Sequence, residues 1–84
     1  MKNKIRVVVW GLGSMGSGIA KMVLSKKGFT IVGAIDMDPN KVGKKLYEVL
    51  GVKANEDNSC TVTRNSQDVI KKSFADVCLM ATAS

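Results

Sequence analysis

An 84-residue chain has room for one small domain and not for two. Its 45% hydrophobic content and single proline exclude disordered, collagen-like and low-complexity classes, and the absence of histidine excludes His-dependent triads, HExxH zinc sites and imidazole proton shuttles. Thirteen Lys and Arg against seven Asp and Glu leave a net charge of +6, which attracts polyanions or phosphorylated ligands without choosing between them.

Residues 5–10 read Ile-Arg-Val-Val-Val-Trp, a run too continuous for one-sided alternation, and predict a strand covered on both faces. A glycine-rich turn follows. From Met15 the apolar positions fall at Met15, Ile19, Met22 and Val23, the spacing of an amphipathic helix, with Lys26 and Lys27 expected in its last turn and Gly28 at its C-cap. Residues 30–36 read as a second buried strand, completing a βαβ unit whose right-handed crossover makes its strands parallel. Asp38 and Pro39 supply an N-cap acceptor and a first-turn proline for a second helix carrying Val42, Leu46, Val49 and Leu50 and closed by Gly51. A polar loop over 52–59 leads to a short strand at 60–63, a helix at 66–72 capped by Ser66, and a last buried strand at 75–81.

This alternation, βαβαβαβ, predicts an α/β architecture: a Rossmann-type parallel sheet, the first part of a doubly wound fold, in strand order 3-2-1-4. In that order the strands carrying Cys60 and Cys78 lie roughly 14 Å apart at ~4.8 Å per spacing, too far for a disulfide. Two reduced thiols with no CxxC and no further ligands nearby fit a cytoplasmic protein and offer no metal site.

Gly11, Leu12, Gly13, Ser14, Met15 and Gly16 spell G-x-G-x-x-G between the first strand and the first helix, the context that gives the pattern meaning. Gly11 permits the tight turn, Gly13 lets main chain approach a diphosphate, and Gly16 lets the helix pack closely, while the helix N–H groups and dipole hold the anion. A P-loop fails because Ser17 and Gly18 stand where Lys and Ser/Thr are needed, and a kinase glycine loop fails because it lies between antiparallel strands. Asp36, twenty residues after Gly16 at the end of the second strand, is placed to accept hydrogen bonds from the adenosine ribose hydroxyls. Its carboxylate repels a 2′-phosphate, and Met37 stands where an NADP-reading arginine is often found, so NAD is favoured over NADP. Lys41, Lys44 and Lys45 weigh against that preference only if the second helix swings an ammonium toward the phosphate; a solvated helix face is the simpler account. Ala81, Thr82 and Ser84, small or hydroxylated and just past the fourth strand, suit passage of the nicotinamide half over the switch point.

The amino terminus only faintly imitates a signal peptide, since Gly11 and Gly13 break its apolar run, and no stretch is long enough to span a bilayer. Few aromatics and no recognisable RNA or DNA module argue against nucleic acid as a partner.

The segments VVVWGLGSMGSGIA at 7–20, IVGAID at 31–36, DPNKVGK at 38–44 and EVLG at 48–51 together resemble the amino-terminal domain of the 2,4-diaminopentanoate dehydrogenase family, which is related to dihydrodipicolinate reductase in its nucleotide-binding half. The resemblance implies that residues 1–84 are the dinucleotide-binding domain of a longer protein with a substrate-binding and subunit-associating domain elsewhere. It implies oxidation of the 4-amino group of 2,4-diaminopentanoate to the ketone, with NAD or NADP accepting hydride and ammonia leaving, in anaerobic ornithine breakdown. Its partners are then a small-molecule substrate and further copies of the same chain, with no membrane. Carried across, Gly11, Leu12, Gly13, Ser14 and Met15 contact the diphosphate, Asp36 the ribose, and residues 81–84 the nicotinamide side. No catalytic acid or base carries over, so the segment alone is not expected to turn over substrate. Two other readings share the same turn: a dihydrodipicolinate reductase-like oxidoreductase and a non-catalytic NAD(H)-sensing module.

Overall fold

The computed structural model describes residues 4–81. Four strands, β1 (Ile5–Trp10), β2 (Phe29–Ile35), β3 (Val62–Thr63) and β4 (Val77–Met80), alternate with three helices, α1 (Ser14–Ser25), α2 (Leu46–Leu50) and α3 (Ser66–Ser73). The sheet is parallel throughout, in the order β3-β2-β1-β4, as the sequence predicts. β1 is central: it pairs with β2 from Ile5↔Phe29 to Trp10↔Ile35 and with β4 from Val7↔Val77 to Trp10↔Met80.

Side chains alternate across a strand, so Val7 and Val9 face one layer and Val8 the other, and all three are buried. Val7, Val9, Ile31 and Ala34 join Ala20 and Val23 of α1, Leu46 and Leu50 of α2, Leu12 and Val62 in one apolar core. On the opposite face Gly33 lets α3 approach, because a Cβ there would collide with Val69 and stand 3.2 Å from Val8. The chain thus winds outward from β1 to β3 and returns by α3 to β4, which sets the topological switch between β1 and β4.

Several local expectations need correction. The buried stripe of α1 is Gly16, Ala20 and Val23, so Met15 and Met22 face outward at 72% and 55% exposure. α1 also ends at Ser25, with Lys26 extended and both lysines beyond the helix; Gly28, at φ +90°, turns the chain into β2. The second helix does not start at Asp38. One turn forms there, with the Lys41 and Val42 N–H groups donating to the Asp38 carbonyl at 2.9 and 3.1 Å, and Gly43 at φ +91° ends it.

The cause is competition from another partner. Gly43 N–H donates to the Val62 carbonyl (2.8 Å), Val62 N–H to Lys44 (2.8 Å) and Leu46 N–H to Cys60 (2.8 Å), so the segment pairs with the approach to β3 and α2 begins only at Leu46. The pairing shortens β3 to Val62–Thr63. Asn65, rather than Ser66, caps α3, accepting the Asp68 N–H at 3.1 Å. β4 is an edge strand of the described sheet instead of a buried one: Val77, Cys78 and Met80 are exposed.

Cys60 precedes β3 and Cys78 lies in β4, on opposite sides of the β2–β1 pair, and both are free. Burial pushes the Cys60 thiol up to about 11.

Candidate functional site

At the carboxyl ends of β1, β2 and β4 the chain opens a crevice of about 730 Å³, lined by Trp10, Gly11, Gly13, Ser14, Met15, Asp36, Met37, Asp38, Lys41 and Ala81. Its floor is held by main-chain bonds: Gly11 N–H to Ile35 (2.7 Å), Asp36 N–H to Thr63 (3.0 Å) and Ala81 N–H to Trp10 (2.8 Å). The glycine turn and the end of β2 therefore keep a fixed relation.

The three glycines have different reasons to be there. Gly11 sits at φ +104°, where a side chain is strained. At Gly16 a Cβ would run into the Gly11 carbonyl, so this position is required by the close seating of α1 on the turn. Gly13 is otherwise: its φ of −69° and ψ of −166° suit any residue, and a Cβ there would meet no protein atom within 4 Å. Nothing in the fold demands glycine at 13. A glycine there leaves the main chain open from the crevice side.

What that main chain offers is a set of donors. The Ser14, Met15 and Gly16 N–H groups precede the first bond of α1, which runs from Ser17 N–H to the Gly13 carbonyl at 2.8 Å, and no side chain caps them. The helix dipole adds positive character at the same end, so the turn suits an anion.

Asp36 closes the other side. Its Oδ2 accepts the Leu12 N–H at 2.6 Å and its Oδ1 the Asp38 N–H at 2.8 Å. Partial burial would raise its pKa, but the Asp38 and Leu12 N–H groups and the nearby Lys41 ammonium outweigh that and hold the carboxyl below the usual aspartate value. It is therefore an ionised acceptor with lone pairs to spare, positioned at the crevice.

Lys41 is the residue whose role sequence reasoning underrated. Its Nζ donates to the Leu12 carbonyl at 2.7 Å and lies 4.0 Å from Asp38 Oδ2. Lys45 instead turns to Thr61 Oγ1 at 3.1 Å, and Lys44 is exposed. The signal that separates them was Gly43, which breaks the helix that would have put all three on one face. Of the remaining expected residues, Leu12 is buried beneath the turn, Ser14, Met15 and Ala81 line the crevice, and Thr82 and Ser84 lie outside the described residues. No group of three or more Cys, Asp or Glu side chains suited to a metal occurs among the described residues. No helix among them is long and apolar enough to cross a membrane.

The sequence family described as Dihydrodipicolinate reductase, N-terminus, matches residues 5–83. A 2,4-diaminopentanoate dehydrogenase of Acetoanaerobium sticklandii is 35% identical over 81 residues, covering 96% of this chain and 22% of that protein. The redox-sensing transcriptional repressor Rex 1 of Thermotoga maritima is 41% identical over 53 residues, covering 62% of this chain and 26% of that protein. Among solved structures, an amine dehydrogenase from Mycobacterium smegmatis superposes with a TM-score of 0.79 at 38% identity, over 88% of this chain and 21% of that one. The chain thus spans only about a fifth to a quarter of the length of these relatives.

Proposed function

From the membership of this chain in the dihydrodipicolinate reductase N-terminal family, we propose that it is the dinucleotide-binding domain of an NAD(P)-dependent dehydrogenase that acts on a CH–NH2 group. The observation that carries the reading is Gly13, unconstrained by the fold yet facing open space beside the uncapped start of α1. A diphosphate seated there receives main-chain N–H bonds from residues 14–16, and Asp36 accepts from the ribose hydroxyls of the adenosine. Ala81 borders the nicotinamide half. Asp36 favours NAD over its 2′-phosphorylated form.

The substrate proposed is 2,4-diaminopentanoate, a reading supported by 35% identity over nearly the whole chain to a dehydrogenase of that name. The bound nicotinamide supplies the hydride acceptor. The C4 hydrogen leaves as hydride, water adds to the resulting imine carbon, ammonia departs, and 2-amino-4-oxopentanoate forms. Residues 1–84 hold and orient the dinucleotide; the groups that position substrate and move protons are assigned to a further domain of a longer protein, working as a homo-oligomer in the cytoplasm without nucleic-acid or membrane partners. The reaction class also suits the breakdown of ornithine-derived amino acids.

The full-length protein, mixed with 2,4-diaminopentanoate and either nicotinamide cofactor, should produce reduced cofactor and ammonia in equal amounts. Reduced cofactor formed only with a different amine, or with a dihydrodipicolinate-type substrate, would refute the substrate and keep the domain. The match to Rex 1 favours one second reading, a non-catalytic NAD(H)-sensing module. That reading predicts tight NADH binding with no turnover of any amine.

A further inference from the structure

Lys41 occupies an unusual place among the thirteen basic residues of this chain. It is the one cation lining the crevice among the described residues, and its side chain is 28% exposed. An ammonium carries three donors. One is used on the Leu12 carbonyl, and the contact to Asp38, at 4.0 Å, is too long for a hydrogen bond.

The Leu12 carbonyl does not depend on it. Ser17 Oγ donates to the same oxygen at 2.9 Å, and the Leu12 N–H is held separately by Asp36, so the turn keeps its bonds if the ammonium leaves. Without Lys41 the crevice lining would hold two carboxylates, Asp36 and Asp38, and no compensating charge. A phosphate on the ribose 2′-oxygen would then face uncompensated repulsion. With Lys41 it meets an ammonium that can turn from a neutral carbonyl, already satisfied by Ser17, to a dianion.

We propose that Lys41 is a specificity-determining residue that admits a 2′-phosphorylated dinucleotide to the crevice despite the carboxylate of Asp36. The proposal rests on the dinucleotide reading above and extends it: NAD remains the better fit to Asp36, and Lys41 keeps NADP acceptable. Lys45 and Lys44, engaged with Thr61 and exposed beyond the crevice respectively, take no part.

The test uses the full-length protein with 5′-AMP and 2′,5′-ADP, a pair that differs only in the 2′-phosphate, and with NADH and NADPH. Lys41→Ala should weaken 2′,5′-ADP and NADPH about tenfold or more, the loss of a charge-assisted hydrogen bond, while 5′-AMP and NADH change less than about threefold. Lys41→Arg should restore the 2′-phosphorylated ligands, and Lys45→Ala should leave the ratio alone. Raising the salt concentration should erode the affinity for 2′,5′-ADP in the wild type more than in Lys41→Ala. Equal weakening of both members of each pair in Lys41→Ala would assign Lys41 to the support of Leu12 alone and overturn the proposal. An unchanged ratio would overturn it too, as would a wild type that binds 5′-AMP and NADH but neither 2′-phosphorylated counterpart. If the wild type binds none of the four, the dinucleotide reading fails along with it.

Discussion

Replacing Gly13 by valine separates folding from binding more cleanly than any other single change in the turn. The backbone at 13 is extended, φ −69° and ψ −166°, with no positive φ to strain a side chain, and the space ahead of its Cβ is empty of protein. Valine is a poorer N-cap than glycine, but the lower backbone freedom of the unfolded chain acts in the opposite direction, so stability should change by no more than about 1 kcal/mol. A diphosphate is affected differently. Pushed away by the valine methyl groups, it loses at least two charge-assisted hydrogen bonds to the start of α1, each worth about 1.5–3 kcal/mol, which together amount to about 10²- to 10⁴-fold in Kd. Calorimetric titration of NADH into wild type and Gly13→Val, with urea denaturation of both, measures the two effects separately. Affinity within threefold of wild type would mean that no ligand approaches the main chain at this point, and the account of the turn would be wrong.

Other consequences follow from the same geometry. Gly16→Ala should be the opposite of Gly13→Val: its Cβ would collide with the Gly11 carbonyl, costing about 1–3 kcal/mol in urea denaturation, and a neutral result would show that the turn can shift without penalty. Asp36 is held below the ordinary aspartate value of 3.8, so its contribution to stability is fully present above that value and is lost as the pH falls through the lower folded one. Asp36→Asn should therefore lower the urea midpoint at neutral pH and flatten the acid limb of the stability curve, and an unaltered acid limb would refute the two N–H bonds assigned to the carboxylate. In a timed reaction with a disulfide reagent, Cys78, exposed on β4, should be modified well before Cys60, whose half-buried thiol is pushed up to about 11; the reverse order would contradict the burial at 60.

Long-range architecture was legible because it depends on patterns that survive local error. The doubly covered run at 5–10 and the alternation of strand and helix were enough for the parallel sheet and its order, and the acid after the second strand lands at the crevice as its spacing demands. Boundaries set by competition were not legible. The apolar spacing of Val42, Leu46, Val49 and Leu50 reads as a helix, yet residues 43–46 find better main-chain partners in residues 60–62, a preference that only the folded sheet expresses. Met15 was assigned to the core by the same period, but the tight seat of Gly16 on Gly11 turns α1 so that Gly16, Ala20 and Val23 face inward. That rotation frees Met15 to line the crevice. Lys41 was hidden for a similar reason, since on an unbroken helix it would share a face with Lys45.

The segment bearing Asp36, Asp38 and Lys41 is fastened at both ends to one short strand: Asp36 N–H bonds to Thr63 and Gly43 N–H to Val62. The charges that greet a ligand are thus mounted on the sheet's far margin like an arm hung from two hinges, instead of riding on a helix of their own. Sequence drift at 60–63, remote from any bound molecule, would tilt that arm and retune what the cleft prefers, so selectivity in such a domain can evolve from its periphery without touching the glycines.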